Sequence, residues 1–157
     1  MACVLYPGSF DPIHNGHVEL AETASGLFDD VVIAALVNPS KGDGLFELEE
    51  RMHLIEESLK HLPNVRTTKF NGFVVDLATE VGADFIIKGL RAVSDFESEL
   101  QMAQMNTALS GVQTLFLPSA SRSSFLASRL IREVIRLGGD VSHMVPELVQ
   151  KHLKEKF

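Results

Sequence analysis

The stretch that decides the fold is "ACVLYPGSFDPIHNGHVEL", residues 2–20. Its apolar start, residues 2–6, predicts a strand, and the run at 17–28 has the spacing of a helix. Between them the chain has a Pro-Gly turn and two histidines on either side of a glycine. The predicted buried face of the helix holds Val18, Ala21, Ala24, Leu27 and Phe28. A strand that turns sharply into a helix is typical of a parallel α/β sheet.

The same alternation continues to the end of the chain. Further strands are predicted at 31–37, 65–70, 84–89 and 114–118, and helices at 47–61, 74–81, 95–109, 124–137 and after Pro146 as first helical residue. Ser94 and Glu97 form a capping box for the helix at 95–109.

This order predicts one α/β domain over 1–157. It is a doubly wound five-stranded parallel sheet, dinucleotide-binding-like (Rossmann-like), with C-terminal helices. If the strand order is 3-2-1-4-5, the first and fourth strands meet at the switch point, and a ligand binds beyond their carboxyl ends.

Composition narrows the class of protein. The 157 residues are 45% hydrophobic, which is enough for a self-sufficient core. The net charge of −7 argues against general binding of nucleic acid, but a local cluster can still bind a small anion. The sequence has neither an apolar run of membrane length nor a leader, so we expect a cytoplasmic protein with no membrane partner. Cys3 lies in an apolar run, which predicts a buried thiol.

The residues after the first strand suit an anion. Ser9 and its neighbouring N–H groups can bind one, and the start of a helix at His17 favours phosphate. His14 and His17 are three apart, so they can face one pocket and donate hydrogen bonds to phosphate oxygens. A metal-ligand role is the alternative, although no third ligand follows at helical spacing. Neither a P-loop nor a Gly-x-Gly-x-x-Gly motif is present.

His14-Asn15-Gly16-His17 matches the His-x-Gly-His motif of the nucleotidyltransferase superfamily. Three stretches, "PGSFDPIHNGH", "KGLRAVSDFESELQMAQMN" and "GGDVSHMVPE", resemble the phosphopantetheine adenylyltransferase family over essentially the whole chain. The resemblance implies transfer of AMP from ATP to 4′-phosphopantetheine, giving dephospho-CoA and pyrophosphate in coenzyme A biosynthesis. It also implies Mg²⁺ held mainly by the ATP phosphates, coenzyme A itself as a ligand, and a homohexamer, with no residue assigned as a metal ligand.

The resemblance also implies roles for individual residues. His17 is the catalytic residue, as stabiliser of the transition state. The residues implied to bind ATP are Ser9, Phe10, His14, His17, Gly89, Leu90, Arg91, Glu99, Ser123, Ser124, Phe125, Leu126, Ala127, Ser128 and Arg129. The residues implied to bind the acceptor are Ser9, Lys41, Val74 and Lys88.

Three positions depart from the family pattern. Lys88 stands where the family often has arginine, so a point charge replaces a planar fork. In "LASRLIR" (126–132), Ser128, Ile131 and Arg132 match the superfamily motif. Ala127 and Arg129 stand where the family usually has serines, which leaves their side-chain roles open.

The implied reaction needs no Ser, Cys or Lys nucleophile, because the acceptor phosphate can itself attack the α-phosphorus of ATP. Two other functions stay open. One is a small nucleotidyltransferase that uses nicotinamide mononucleotide or glycerol phosphate, and the other is a nucleotide-binding sensor without turnover. The apolar face at Met102, Met105 and Leu109 either completes the core or joins copies of the chain.

Overall fold

The computed structural model describes residues 1–37, 44–91 and 93–157, apart from the side chains of 93–95 and 121. Strands and helices alternate through these residues. In chain order they are β1 (Cys3–Gly8), α1 (Asn15–Leu27), β2 (Asp30–Leu36), α2 (Leu48–Leu59), β3 (Val65–Phe70), α3 (Val74–Val81), β4 (Phe85–Leu90), α4 (Val93–Ser110), β5 (Gln113–Pro118), α5 (Ser128–Arg136) and α6 (Glu147–Lys156).

The strands form one parallel sheet in the order β3-β2-β1-β4-β5, which confirms the predicted fold class and strand order. The pairing of β1 with β2 continues to the end of both strands, at Gly8 and Ala35. The pairing of β1 with β4 stops at Leu5 and Ile86. The carboxyl ends of β1 and β4 therefore separate, and a crevice opens at the switch point.

Alternate residues of each strand supply the two faces of the core. Val4 and Tyr6 pack on the face that α1, α2, α5 and α6 cover. Cys3 and Leu5 point to the other face, which α3 covers, and α4 lies beside α3. Cys3 is buried as predicted, and burial together with the Asp30 carboxylate raises the pKa of its thiol.

The first helix differs in detail from its prediction. It begins at Asn15, two residues early, because the His14 side chain caps it. Leu27, expected in the core, is 62% exposed. It is the last helical residue, and the extended backbone of Phe28 carries that side chain into the core in its place. Leu20, which the prediction omitted, is buried on the same face.

The predicted helix at 124–137 begins later than expected. The chain forms a short 3-10 turn at Ser121–Ser123, and α5 starts only at Ser128. Arg91 donates a hydrogen bond to the Leu126 carbonyl at 2.7 Å, and the next residue, Ala127, has an extended backbone that a helix cannot include. This explains the late start.

Two helix-start predictions also change. Pro146 is the N-cap of α6 and not its first residue. Helix α4 starts at Val93, which places Ser94 inside the first turn. A capping box needs its serine at the N-cap, so the predicted box of Ser94 with Glu97, and the helix start at 95, are wrong.

Helix α4 presents an apolar face to the outside of this chain. Met102 and Met105 are each 57% exposed and Leu109 is 61% exposed. The alternative that these side chains complete the core is therefore wrong. Among the described helices, none combines the length and apolarity that crossing a membrane requires.

Candidate active site

A cavity of about 470 Å³ opens at the carboxyl ends of β1, β4 and β5, at the switch point. Its volume lies within the range of small-molecule sites. The lining residues come from β1 and the loop after it, from α1, from the end of β4 and α4, and from the segment between β5 and the first turn of α5. They are Tyr6, Pro7, Gly8, Ser9, Phe10, His14, Gly16, His17, Leu20, Lys88, Gly89, Arg91, Glu99, Ser119, Ser123, Ala127, Ser128 and Arg129.

His14 and His17 share the start of α1. The Gly16 N–H donates to Nδ1 of His14 at 3.0 Å, and the His14 N–H donates to Nδ1 of His17 at 3.1 Å. The two rings stack with their centroids 3.7 Å apart. Because both Nδ1 atoms accept hydrogen bonds, each neutral ring carries its proton on Nε2. The pair therefore offers two Nε2–H donors.

Both rings stay neutral at physiological pH. Burial, and after it the positive charge of Arg91, lower the pKa of His14 to about 4. The pKa of His17 lies well below its usual value because of burial first, and then because of His14 and Arg91. In the ligand-free protein these histidines act as hydrogen-bond donors and not as cations.

The low pKa values predict a loss of stability in acid. As the pH falls below about 6.5, His14 binds a proton in the unfolded chain, whereas in the folded chain it stays neutral until about pH 4. For His14 alone the free energy of unfolding falls by about 3 kcal/mol over that window. His14→Asn keeps an N-cap side chain but does not titrate, so it loses this part of the pH dependence. Urea unfolding at pH 7 and pH 4 measures the difference.

The control for this experiment is His143→Asn, which changes an exposed histidine that does not line the cavity. It is expected to keep the wild-type pH dependence. Equal acid sensitivity of the His14→Asn variant and the wild type would contradict the burial argument.

Cationic side chains line the cavity at the end of β4 and at the start of α5. Lys88 at the end of β4 lies 3.5 Å from the Glu99 carboxylate on α4, and both side chains are about one-third exposed. Arg91 lines the same cavity and holds the Leu126 carbonyl. Arg129, on the first turn of α5, lies 3.9 Å from Glu133 and is largely exposed. The cavity can therefore bind an anion from the β4 side and from the α5 side.

The structure brings most of the predicted site residues to this cavity. Those that line it are Ser9, Phe10, His14, His17, Lys88, Gly89, Arg91, Glu99, Ser123, Ala127, Ser128 and Arg129. Those that do not are Leu90, Ser124, Phe125 and Leu126. Val74 begins α3 and packs against the opposite face of the sheet. Lys41 lies outside the described residues.

Six lining residues were not assigned individually as binding residues from the sequence: Tyr6, Pro7, Gly8, Gly16, Leu20 and Ser119. Ser119 directly follows β5, so the rule that ligands bind at carboxyl ends of strands pointed to it. Gly16 carries a stronger signal, its place between two histidines. A Cβ at Gly16 would lie 2.8 Å from Cε1 of His14, so only glycine fits under that ring.

The described part of the chain contains no group of three or more His, Cys, Asp or Glu side chains that would hold a metal. Glu99 is the acidic side chain that lines the cavity, and Lys88 already pairs with it. The Nδ1 atoms of both histidines are committed to backbone N–H groups. The described residues therefore do not fit a resident metal cofactor.

A switch-point crevice that combines imidazole donors at a helix start with cations from the next strand is the arrangement of a nucleotide-handling α/β domain. Comparison with known families agrees. A family described as cytidylyltransferase-like matches residues 5–134, and the chain belongs to that family, within the nucleotidyltransferase superfamily.

Two solved structures show the same fold. A Vibrio parahaemolyticus protein provisionally assigned as a nicotinate-nucleotide adenylyltransferase superposes with a TM-score of 0.69 at 16% identity, over 98% of this chain and 99% of that one. The lipopolysaccharide core biosynthesis protein of Thermoplasma volcanium GSS1 gives a TM-score of 0.56 at 22% identity, over 76% of this chain and 97% of that one. The prediction of a nucleotidyltransferase is confirmed, and the particular acceptor stays a prediction.

Proposed function

We propose that this chain transfers AMP from ATP to 4′-phosphopantetheine and so forms dephospho-CoA and pyrophosphate. The observation that carries the proposal is the pair of Nε2–H donors at the start of α1, in one cavity with Lys88 and Arg91. Such a site can bind two polyanionic substrates next to each other, which their reaction requires. The choice of acceptor rests on the resemblance of the segment "KGLRAVSDFESELQMAQMN" to the phosphopantetheine adenylyltransferase family.

The reaction requires the protein to align its two substrates and to stabilise the negative charge of the transition state. An oxygen of the acceptor phosphate forms a bond to the α-phosphorus of ATP, and the bond from that phosphorus to the departing pyrophosphate breaks. The Nε2–H groups of His14 and His17 donate to oxygens on which charge builds up. No general base is needed, since the acceptor phosphate is already ionised. ATP enters as its Mg²⁺ complex, with the ion held by ATP phosphates and water.

Lys88 is assigned to the acceptor. In the ligand-free chain its charge is balanced by Glu99 at 3.5 Å, and an incoming phosphate competes for it. Arg91, three residues further on, is assigned to ATP. Two anions can then bind side by side at the end of β4.

Lys88→Ala is expected to weaken phosphopantetheine binding by about 10-fold or more, because a charged hydrogen bond contributes about 1.5–3 kcal/mol. ATP binding changes less. Isothermal titration with each ligand separately measures the two effects. Lys69→Ala is the matched control, since Lys69 pairs with Glu49 at 3.3 Å on β3 and does not line the cavity. A selective loss of ATP affinity would reverse the assignment.

An acceptor panel tests the proposed function. Pyrophosphate release is measured with Mg²⁺-ATP and, separately, 4′-phosphopantetheine, nicotinamide mononucleotide or glycerol phosphate. We expect release with phosphopantetheine. Preference for either other acceptor would replace the proposed substrate but keep the reaction class. ATP binding without release for any acceptor would favour the sensor.

We also propose that the chain assembles with itself, as the implied homohexamer requires. The exposed face of α4, with Met102, Met105 and Leu109, is the candidate contact surface. Sedimentation equilibrium is expected to give several times the chain mass of 17.3 kDa. Met105→Glu lowers that mass, whereas Leu137→Glu, at an exposed leucine directly after α5, does not. A wild-type mass near 17.3 kDa contradicts self-association.

A further inference from the structure

Phe10 has an unusual backbone for its residue type. Its φ is +49°, in the left-handed region that costs a residue with a side chain about 1–2 kcal/mol. Its ring is 3% exposed and meets the His17 ring edge-on, with centroids 4.8 Å apart. The Phe10 ring also packs edge-on against the Tyr6 ring, with the two ring centroids 5.3 Å apart. The strained residue Phe10 therefore packs its ring directly against the His17 ring.

The next residue holds this conformation through its carboxylate. Asp11 is 6% exposed, and its Oδ2 accepts the Leu45 N–H at 2.7 Å while its Oδ1 accepts the Phe46 N–H at 2.9 Å. Leu45 and Phe46 are themselves buried just before α2. Hydrogen bonds to an ionised acceptor are among the stronger ones in proteins. The carboxylate thus ties the loop after β1 to the rest of the core.

Two arginines hold the backbone on either side of Phe10. Arg51 of α2 donates to the Ser9 carbonyl at 2.7 Å, and Arg132 of α5 donates to the Asp11 carbonyl at 2.6 Å. Arg132 does not line the cavity. These contacts fix the peptide groups near Phe10, and the Asp11 carboxylate adds the contact with the segment before α2.

We infer that Asp11 is a positioning residue for His17: its carboxylate, bound to the Leu45 and Phe46 N–H groups, holds Phe10 in its left-handed conformation against the imidazole. Asp11 does not itself line the cavity, so it acts on the reaction through Phe10 and His17. The catalytic consequence rests on the proposed function, in which His17 stabilises the transition state. The arrangement of the rings exists without any substrate.

Asp11→Asn is the informative variant. An amide keeps the size of the carboxylate but points an NH₂ group at one of the two buried N–H donors, which leaves that donor unsatisfied. Phe10 can then leave its left-handed conformation, and the His17 ring loses its packing contact with the Phe10 ring. We expect kcat to fall about 10-fold to 10²-fold from this displacement, with a smaller change in the KM for ATP.

The test uses ring ¹⁵N and ¹H NMR signals of His17 in the ligand-free, folded protein, together with kcat and KM. In Asp11→Asn the His17 ring signals shift and its pKa moves toward the ordinary value. The matched control is Asp84→Asn, which removes a carboxylate that accepts the Cys3 N–H at 2.8 Å, at the amino ends of β1 and β4 and so at the opposite end of these strands from the cavity. It lowers stability but leaves the His17 signals and kcat unchanged.

Unchanged His17 signals in folded Asp11→Asn would overturn the inference, and so would an equal shift in Asp84→Asn. If Asp11→Asn does not fold, Arg132→Gln is measured in its place. That variant removes the hydrogen bond from Arg132 to the Asp11 carbonyl, and the proposal requires it to shift the His17 ring signals in the same direction. The NMR experiment contains no substrate. A failed acceptor panel would thus refute the proposed function alone, and unmoved ring signals would refute the positioning role alone.

Discussion

Replacing His17 by alanine is expected to lower kcat by about 10²–10³, the usual effect of removing one donor that stabilises transition-state charge. The ring is neutral and its Nδ1 is occupied by the His14 N–H, so its Nε2–H group is the part available to a phosphoryl oxygen. The variant also loses that hydrogen bond at the helix start, which costs about 1 kcal/mol of stability. The fold is therefore expected to survive.

The measurement is steady-state pyrophosphate release under saturating substrates, with circular dichroism to verify folding. His61→Ala is the control, because His61 is a half-exposed histidine that pairs with Glu22 and does not line the cavity. It should retain wild-type kcat. A folded His17→Ala enzyme with undiminished kcat would remove His17 from the mechanism.

Gly16→Ala is expected to reduce kcat by about 10²-fold, the scale of a misplacement of about 1 Å among catalytic groups. The new Cβ would lie 2.8 Å from Cε1 and 3.0 Å from Nδ1 of His14. His14 cannot easily yield, because it is 4% exposed and stacked on His17. The displaced ring would carry the His17 ring with it.

A second glycine of α1 provides the control for this variant. A Cβ at Gly26 meets nothing within 4 Å, so Gly26→Ala should leave kcat unchanged. It should also stabilise the helix by about 0.5–1 kcal/mol, since alanine is the better helix former. Comparable loss of kcat in both variants would show that helix composition, and not the contact with His14, is responsible.

The chain order of apolar runs was enough to predict the sheet. The runs at 31–37 and 65–70 are local patterns, and each became a strand within one residue of its expected end. The pair His14 and His17 was likewise recognisable, because spacing along one helix is a property of the sequence itself. The family resemblance added the roles of Lys88 and Arg91, and both side chains line the cavity.

Sequence by itself determined the parallel α/β fold and the histidine pair, since helical and strand periodicities depend on neighbouring residues. Tertiary structure decided the rest of the site. The neutral state of the rings comes from burial and from Arg91, which is distant in sequence. The late start of α5 comes from the extended backbone of Ala127, which follows the Leu126 carbonyl that Arg91 binds. The role of Asp11 depends on the N–H groups of Leu45 and Phe46, more than thirty residues away, which meet its carboxylate only when the sheet is complete.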